Sequence, residues 1–179
     1  MCEQIVNEMS ALEGRSSLVY GRSESGVVHE TTRRSLRLTP SAETVDLVVG
    51  RLLACMDQVA EHFAVKLSEY EDPQFLRYQK GDFFVAHQDG NTGMLRLDTE
   101  RRLVSTVIFL SREVESLVEE RNVFCGGSLV FTNQRVAPEH AKFHMHAEPG
   151  MLIAFRAETT HEVTPVTQGE RYSIVSWYR

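Results

Sequence analysis

Residues 83–89 read Phe83-Phe84-Val85-Ala86-His87-Gln88-Asp89. The first five form strands readily, and the pair Gly81-Asp82 before them has turn chemistry. The same alternation of strand character and turns runs to the end of the chain. It predicts these strands: Phe75–Gln79, Phe83–His87, Leu103–Leu110, Gly127–Phe131, Met151–Arg156, Glu162–Pro165 and Arg171–Tyr178. Because the helices that an α/β sheet needs between its strands are missing, the pattern favours a β-sandwich or barrel.

One amphipathic helix precedes these strands. Thr39-Pro40-Ser41 offers a cap and a first-turn proline. Apolar residues then recur at helical spacing, at Val45, Val48, Val49, Leu52, Leu53, Met56, Val59 and Phe63. We expect this helix to pack outside the β core. Without a repeat or a low-complexity linker, residues 1–179 are predicted to form one domain, with 1–72 as N-terminal support and 73–179 as the β core. A short strand is also expected at Ser17–Tyr20.

The composition is that of a soluble globular protein. Of the 179 residues, 42% are hydrophobic and 25% are charged, and no stretch approaches the roughly 20 apolar residues of a transmembrane helix. No signal peptide is evident, and three scattered cysteines do not make a disulfide framework, so we expect a cytoplasmic protein with reduced thiols. The net charge of −6 argues against a nucleic-acid partner, although Arg33, Arg34 and Arg37 could form a local basic patch.

His87 and Asp89 are candidate metal ligands. Residues i and i+2 of a strand share a face, so both side chains can point at one ion. A third ligand must come from a distant strand, and His161 is the candidate. Two imidazoles and one carboxylate occupy one face of an octahedron and leave three positions open, as in non-haem iron(II) oxygenases. A lone His-x-Asp is a weak signal, so its weight depends on what lies downstream.

Arg171 strengthens the prediction. It follows His161 by ten residues, in the strand Arg171–Tyr178. A fixed guanidinium there can bind the distal carboxylate of 2-oxoglutarate through two hydrogen bonds. Ser173 shares the face of Arg171 and could donate a further hydrogen bond.

The region from Tyr78 to Tyr178 resembles the catalytic core of the prolyl 4-hydroxylase-like branch of the 2-oxoglutarate oxygenases. Order and spacing agree across roughly 100 residues. The matching pieces are Tyr78-x-x-Gly81…His87-x-Asp89, Arg102…Thr106…Phe109-Leu110, Gly126-Gly127-x-Leu129-x-Phe131, Pro149-Gly150-x-Leu152-x-x-Phe155 and His161-x-Val163-x-Pro165-Val166…Gly169-x-Arg171-Tyr172…Trp177. Arg34-Ser35 and the helix after it resemble the N-terminal support of that family more loosely.

The resemblance implies a mainly β fold with supporting helices, around a double-stranded β-helix (jelly-roll, cupin-like) core. It implies iron(II) held by His87, Asp89 and His161, with 2-oxoglutarate and dioxygen as co-substrates, and ascorbate as a further candidate cofactor. Arg171 and the Tyr78 hydroxyl are the implied contacts to 2-oxoglutarate. Phe109 stands where some relatives have a tyrosine that contacts the co-substrate, and Thr106 and Ser173 are candidates to compensate for it.

The implied reaction is hydroxylation of an unactivated C–H bond, with release of succinate and CO₂. Related halogenases replace the carboxylate with a small residue, so Asp89 favours hydroxylation. Peptidyl proline, a free amino acid and a small metabolite remain open as substrates, and the oligomeric state is open. Gly21–Arg37 and Gly90–Arg102 are candidate lids. The alternatives are a non-catalytic cupin-like binding or sensor protein, which would not need Arg171, and a nucleic-acid demethylase, which the net charge disfavours.

Two other features are interpreted as structural. His140, His144 and His146 have metal-like spacing but no accompanying carboxylate. Cys125 has no neighbour in the sequence that would lower the pKa of its thiol, so an inert buried cysteine is expected.

Overall fold

The computed structural model describes residues 1–18, 30–90, 92, 98–116, 119–133, 136–137 and 141–179. The helices are α1 (Cys2–Ser10) and α2 (Ala42–Phe63), with a 3₁₀ turn at Asp98–Arg101. The strands are β1 (Arg15–Ser16), β2 (Arg33–Arg34), β3 (Leu36–Leu38), β4 (Gln74–Tyr78), β5 (Phe83–His87), β6 (Val104–Phe109), β7 (Arg112–Glu113), β8 (Val123–Gly126), β9 (Leu129–Thr132), β10 (Lys142–Met145), β11 (Leu152–Arg156), β12 (His161–Val163), β13 (Val166–Gly169) and β14 (Arg171–Tyr178).

Two large antiparallel sheets form the core of the fold. One has the strand order β1-β3-β4-β14-β6-β11, and the other has the order β10-β9-β12-β5-β2. A small third sheet, β13-β8-β7, flanks them. The predicted mainly β architecture with supporting helices, a double-stranded β-helix, is confirmed.

The helices cover one face of the six-stranded sheet. Ser41 caps α2 by accepting a hydrogen bond from the backbone N–H of Thr44, and Pro40 therefore precedes the cap rather than occupying the first turn. Leu52 is fully buried between α2 and the sheet. The hydroxyl of Tyr178 donates to the Leu52 carbonyl at 2.6 Å, which ties the last strand to the helix. The expectation that this helix packs outside the β core is confirmed.

Helix α1 was not predicted. Ile5, Val6 and Met9 lie on one face and are almost completely buried against the same core as α2. Their spacing is helical, but nine residues give a weaker periodic signal than the 22 residues of α2. The carboxylate of Glu8 accepts from the Ser41 backbone N–H at 2.5 Å, so the two helices also meet through polar atoms.

A second core lies between the two large sheets. It is built from both of them, by Leu76, Tyr78, Val107, Phe109, Leu129, Phe155 and Val163. Strand β14 serves both cores because its side chains alternate. Tyr172 and Ile174 face the helices, whereas Arg171 and Ser173 border a cavity on the other side.

The predicted strands match the observed strands closely. Phe83–His87 and Arg171–Tyr178 have the predicted bounds, and the other five overlap observed strands with ends that differ by at most two residues. The prediction that Pro165 ends a strand is wrong: Pro165 lies outside β12, since it has no backbone N–H to donate to a neighbouring strand. Ser17 and Leu18 follow β1 without being in a strand, and the rest of the predicted strand Ser17–Tyr20 lies outside the described residues. Neither described helix is long and apolar enough to cross a bilayer.

The contrast between Leu52 and its neighbour Leu53 tests the packing of α2. Leu52 is 0% exposed and Leu53 is 45% exposed. We expect Leu52→Ala to lower the free energy of unfolding by about 2–5 kcal/mol, because it leaves a cavity in the core. Leu53→Ala should change it by less than about 0.5 kcal/mol. Urea denaturation followed by circular dichroism measures both, and equal losses would contradict the assigned packing.

Candidate active site

His87 and His161 meet across neighbouring strands of the five-stranded sheet. The pairing of β12 with β5 places His161 opposite His87 and Val163 opposite Phe84. The two paired residues are two positions apart in β12 but three positions apart in β5. Strand β5 therefore has one extra residue, a β-bulge. The extra residue turns Phe84 and His87 to one face, where their rings stack with centroids 3.5 Å apart. The ring of His87 then lies beside that of His161, at a centroid distance of 4.2 Å.

Asp89 completes a cluster with the two histidines. Its Oδ1 lies 3.5 Å from His87 Nε2, and its Oδ2 lies 3.6 Å from His161 Nε2. One potential ligand atom from each residue lies within 4.8 Å of the others. The structure thus brings together the three residues that the sequence nominates.

Backbone carbonyls orient both imidazole rings. His87 Nδ1 lies 2.9 Å from the Val85 carbonyl, and His161 Nδ1 lies 2.9 Å from the Thr159 carbonyl. A carbonyl can only accept, so each Nδ1 carries a hydrogen and each Nε2 is the ring nitrogen left to face Asp89. Metal-binding histidines are commonly held in this way.

The charge state of the cluster suits a divalent cation. Burial lowers the pKa of His161 to about 4, so its ring is neutral at neutral pH. Burial alone would raise the pKa of Asp89, but the facing rings of His161 and His87 and the Ser105 hydroxyl together hold it well below its ordinary value. One carboxylate and two imidazoles are the donor set that non-haem iron(II) sites use.

Contacts from two further residues fix Asp89. The hydroxyl of Ser105 donates to Asp89 Oδ2 at 2.7 Å. Arg102 donates from Nη1 to the Asp89 backbone carbonyl at 3.2 Å, and its guanidinium lies 3.7 Å above the Trp177 ring. Glu71 holds Arg102 through two hydrogen bonds of 2.6 Å. Sequence reasoning missed Ser105 and Glu71, since neither lies in a pattern that points to a metal site.

Arg171 is buried at the far side of the same cavity. It is 2% exposed, and its Nη1 donates to Ser173 Oγ at 2.7 Å. Its Nε has no hydrogen-bond partner within the described part of the chain. The guanidinium carbon lies 5.1 Å from the centre of the Tyr78 ring and 5.4 Å from that of Phe109. Burial lowers the pKa of Arg171 below its ordinary value, yet such a group stays charged at neutral pH.

Gly127 makes room for Arg171. A Cβ atom at this position would lie 2.7 Å from Val166 Cγ2 and 3.3 Å from Arg171 Cδ. The backbone at Gly127 also has φ of +64°, a conformation that favours glycine. The sequence predicts a turn at Gly126-Gly127. The structure shows in addition that a side chain at Gly127 would crowd Val166 and Arg171.

One cavity of about 180 Å³ connects the two ends of the site. It is bordered by all seven residues nominated from the sequence: Tyr78, His87, Asp89, Thr106, His161, Arg171 and Ser173. The hydroxyl of Thr106 donates to the Ser176 carbonyl at 2.9 Å, and that of Ser173 accepts from Arg171. Contacts of these two hydroxyls with 2-oxoglutarate stay predictions.

The other histidines do not join the site. Among the described residues, the cluster around Asp89 is the one group of three side chains arranged to hold a metal ion. His144 lies in the edge strand β10, His146 follows it, and His140 lies outside the described residues. Cys125 is buried in β8, as expected. Much of the two candidate lids, Gly21–Arg37 and Gly90–Arg102, lies outside the described residues, although Arg33 and Arg102 border the cavity.

A double-stranded β-helix with two histidines on adjacent strands and a carboxylate just after one of them is the architecture of an iron(II)-dependent oxygenase. Residues 73–179 match the model of the 2OG-Fe(II) oxygenase superfamily. The chain belongs to this superfamily. Membership implies iron(II), 2-oxoglutarate and dioxygen as requirements, whereas the prediction of ascorbate stays a prediction.

Its relatives among known proteins include bacterial PKHD-type hydroxylases. A PKHD-type hydroxylase of Shewanella oneidensis is 31% identical over 98% of this chain and 73% of its own length. A second, from Paracoccus denitrificans, is 27% identical over 98% of this chain and 72% of its own length. The predicted enzyme class, a 2-oxoglutarate-dependent hydroxylase of the prolyl 4-hydroxylase-like family, is therefore confirmed.

Solved structures support the fold. A prolyl-4-hydroxylase of Pseudomonas putida superposes with a TM-score of 0.61 at 21% identity, covering 100% of this chain and 98% of that one. A prolyl hydroxylase of Trichoplax adhaerens superposes with a TM-score of 0.64 at 18% identity, covering 98% and 74%. At these identities the likeness shows a shared fold.

The Ser105 hydroxyl supplies a test of how the site is held. We expect Ser105→Ala to weaken iron(II) binding roughly tenfold, because Asp89 loses the hydrogen bond that orients its Oδ2. Ser105→Thr keeps a hydroxyl and should bind iron(II) within about twofold of the parent chain, on the same principle. Anaerobic calorimetric titration with iron(II) measures both affinities, and an unchanged affinity in Ser105→Ala would refute this support.

Proposed function

We propose that this chain binds iron(II) through His87, Asp89 and His161, binds 2-oxoglutarate through Arg171, and hydroxylates an unactivated C–H bond. The observation that carries the proposal is the single cavity, which joins a metal-competent cluster to a buried guanidinium. A non-catalytic cupin-like protein could use the metal-competent cluster but would not need the buried guanidinium of Arg171.

The side chains of His87, Asp89 and His161 would hold the metal. Both imidazoles are locked by their Nδ1 hydrogen bonds, and Asp89 is locked by Ser105, so little reorganisation is needed when the ion arrives. When bound, iron(II) with 2-oxoglutarate activates dioxygen for attack on a C–H bond and yields succinate and CO₂. Because Asp89 fills the position that halide takes in related halogenases, hydroxylation is favoured over halogenation.

Arg171 supplies the anchor for the distal carboxylate of the co-substrate. Its fork presents several N–H donors, of which Nη1 is held by Ser173 and Nε is unused within the described residues. A carboxylate bound there would pair with a cation in a site that water scarcely reaches, where charge-assisted hydrogen bonds are strong. The Tyr78 hydroxyl is the second proposed contact, since its ring lies against the guanidinium. Phe109 has no hydroxyl to add.

The substrate class comes from the relatives. Those described above are two PKHD-type hydroxylases and two prolyl hydroxylases, one of the latter solved with a peptide fragment of hypoxia inducible factor. We therefore propose a prolyl 4-hydroxylase-like reaction on a peptide, a free amino acid or a small metabolite. The net charge of −6 disfavours the rival function of nucleic-acid demethylation. The three free cysteines fit the reducing cytoplasm.

Succinate formation tests the co-substrate site. We expect Arg171→Gln to raise the KM for 2-oxoglutarate by about 10–100-fold, the loss expected when a charged hydrogen-bond pair is removed. Arg171→Lys keeps the charge but loses the planar fork, so an intermediate rise is expected. Succinate released without added substrate, measured across a range of 2-oxoglutarate concentrations, gives the KM of each variant.

A ligand variant serves as the reference for this experiment. His161→Ala should abolish both iron(II) binding and succinate formation. If neither the parent chain nor any variant binds 2-oxoglutarate in the presence of iron(II), the oxygenase proposal fails.

A further inference from the structure

A second arginine reaches the cavity from the N-terminal part of the chain. Arg33 lies on β2, paired with Phe84 on β5, and is 9% exposed. Its guanidinium lies 4.7 Å from the centre of the Phe84 ring, whose centroid lies 3.5 Å from that of His87. The Phe84 ring therefore lies between the guanidinium of Arg33 and His87, a proposed metal ligand.

The guanidinium of Arg33 is only partly used by the protein. Its Nε donates to Ser35 Oγ at 3.0 Å, and its Nη1 makes a long contact of 3.4 Å with the Leu18 carbonyl. Neither acceptor is charged, and within the described ranges no carboxylate forms an ion pair with Arg33. A cation this well buried is costly unless an anion meets it.

The other charges that border the cavity are accounted for. Glu71 holds Arg102, the proposed metal meets Asp89, and the distal carboxylate of 2-oxoglutarate would meet Arg171. Arg33 lies close enough to Arg171 that its charge contributes to lowering the pKa of that guanidinium. Among the described residues that border the cavity, Arg33 is then the one cation to which no anion is assigned.

We propose that Arg33 binds a carboxylate of the primary substrate and so selects an anionic compound for hydroxylation. This inference rests on the proposed function and deepens it by naming the substrate chemistry. The carboxylate could belong to a free amino acid or to an acidic side chain of a peptide. A carboxylate bound to Arg33 would be separated from His87 by the Phe84 ring. The C–H bonds next to that carboxylate would then lie toward the metal cluster.

The next residue on the same strand is a matched control. Arg34 also lies over a phenylalanine, with its guanidinium carbon 5.4 Å from the centre of the Phe83 ring. Its side chain is 52% exposed and donates to the Gly81 carbonyl, and it does not border the cavity. Arg34→Gln therefore removes the same charge from the same strand without touching the proposed site.

The experiment uses the full chain loaded anaerobically with iron(II) and saturated with 2-oxoglutarate. One arm titrates free amino acids against their carboxamides. The other titrates end-blocked peptides that contain Asp or Glu against the same peptides with Asn or Gln. Binding is followed by the fluorescence of Trp177, which is the single tryptophan of the chain and borders the cavity. Oxygen is then admitted, and succinate is measured.

We expect the parent chain to bind at least one carboxylate about tenfold or more tightly than its amide, the ratio typical of a charged hydrogen-bond pair. Arg33→Gln should reduce that preference to within about twofold, and Arg34→Gln should keep it, because only Arg33 meets the ligand. The arm that shows the preference identifies the source of the carboxylate. Arg33→Lys, which keeps the charge and the strand, should retain a reduced preference and covers the case in which Arg33→Gln fails to fold.

Three results would overturn the proposal. They are the absence of any carboxylate preference in both arms, a preference that survives in Arg33→Gln, and a rise in the KM for 2-oxoglutarate in Arg33→Gln as large as that in Arg171→Gln. The last would assign Arg33 to the co-substrate. Failure of the parent chain to bind 2-oxoglutarate, which is measured first, would count against the proposed function instead.

Discussion

The antiparallel pairing of β12 with β5 is the interaction on which the rest of the site depends. It sets His161 directly opposite His87, and β12 is held on its other edge by β9. Because side chains alternate along a strand, a slip of one residue would turn His161 to the opposite face. The bulge in β5 is part of the same constraint, since it brings Phe84 and His87 to one side. Pairing on both edges of β12 thus fixes the register that brings the cluster together.

This geometry requires charged groups to lie out of water, which is unfavourable unless each has polar partners. Asp89 is compensated by Ser105 and by the two rings, and Arg171 by Ser173. The compensation of Arg171 is incomplete, since its Nε is left without a hydrogen bond among the described residues. Stability therefore has to come from the two apolar cores, one between the helices and the six-stranded sheet and one between the two large sheets. A fold that carries unused cationic donors in its interior is prepared for an anionic ligand.

Much of this arrangement follows from local sequence, and the remainder depends on long-range contacts. The bounds of β5 and β14 are predictable because strand alternation and the flanking turns are local signals. The same alternation places Ser173 beside Arg171. Glu71 could not be predicted as a support, since it reaches Arg102 only after residues 31 positions apart are folded together. Helix α1 was missed because three apolar residues are too few for a clear periodicity.

Strand β14 joins the stability of the fold to the shape of the site. Its two faces cannot move independently, since Tyr172 and Ile174 belong to the helix-side core while Arg171 and Trp177 border the cavity. Arg179 directly follows the strand and donates to Glu71 Oε1 at 2.7 Å, so it reaches the same carboxylate that holds Arg102. A shift of β14 against α2 would therefore move groups at both ends of the cavity. It would displace the Arg171 guanidinium at one end and the Arg102 contact with the Asp89 carbonyl at the other. Closely packed cores transmit such shifts with little loss. The N-terminal helices thus help to set the distance between the metal-competent cluster and the guanidinium, although neither helix supplies a residue to the site.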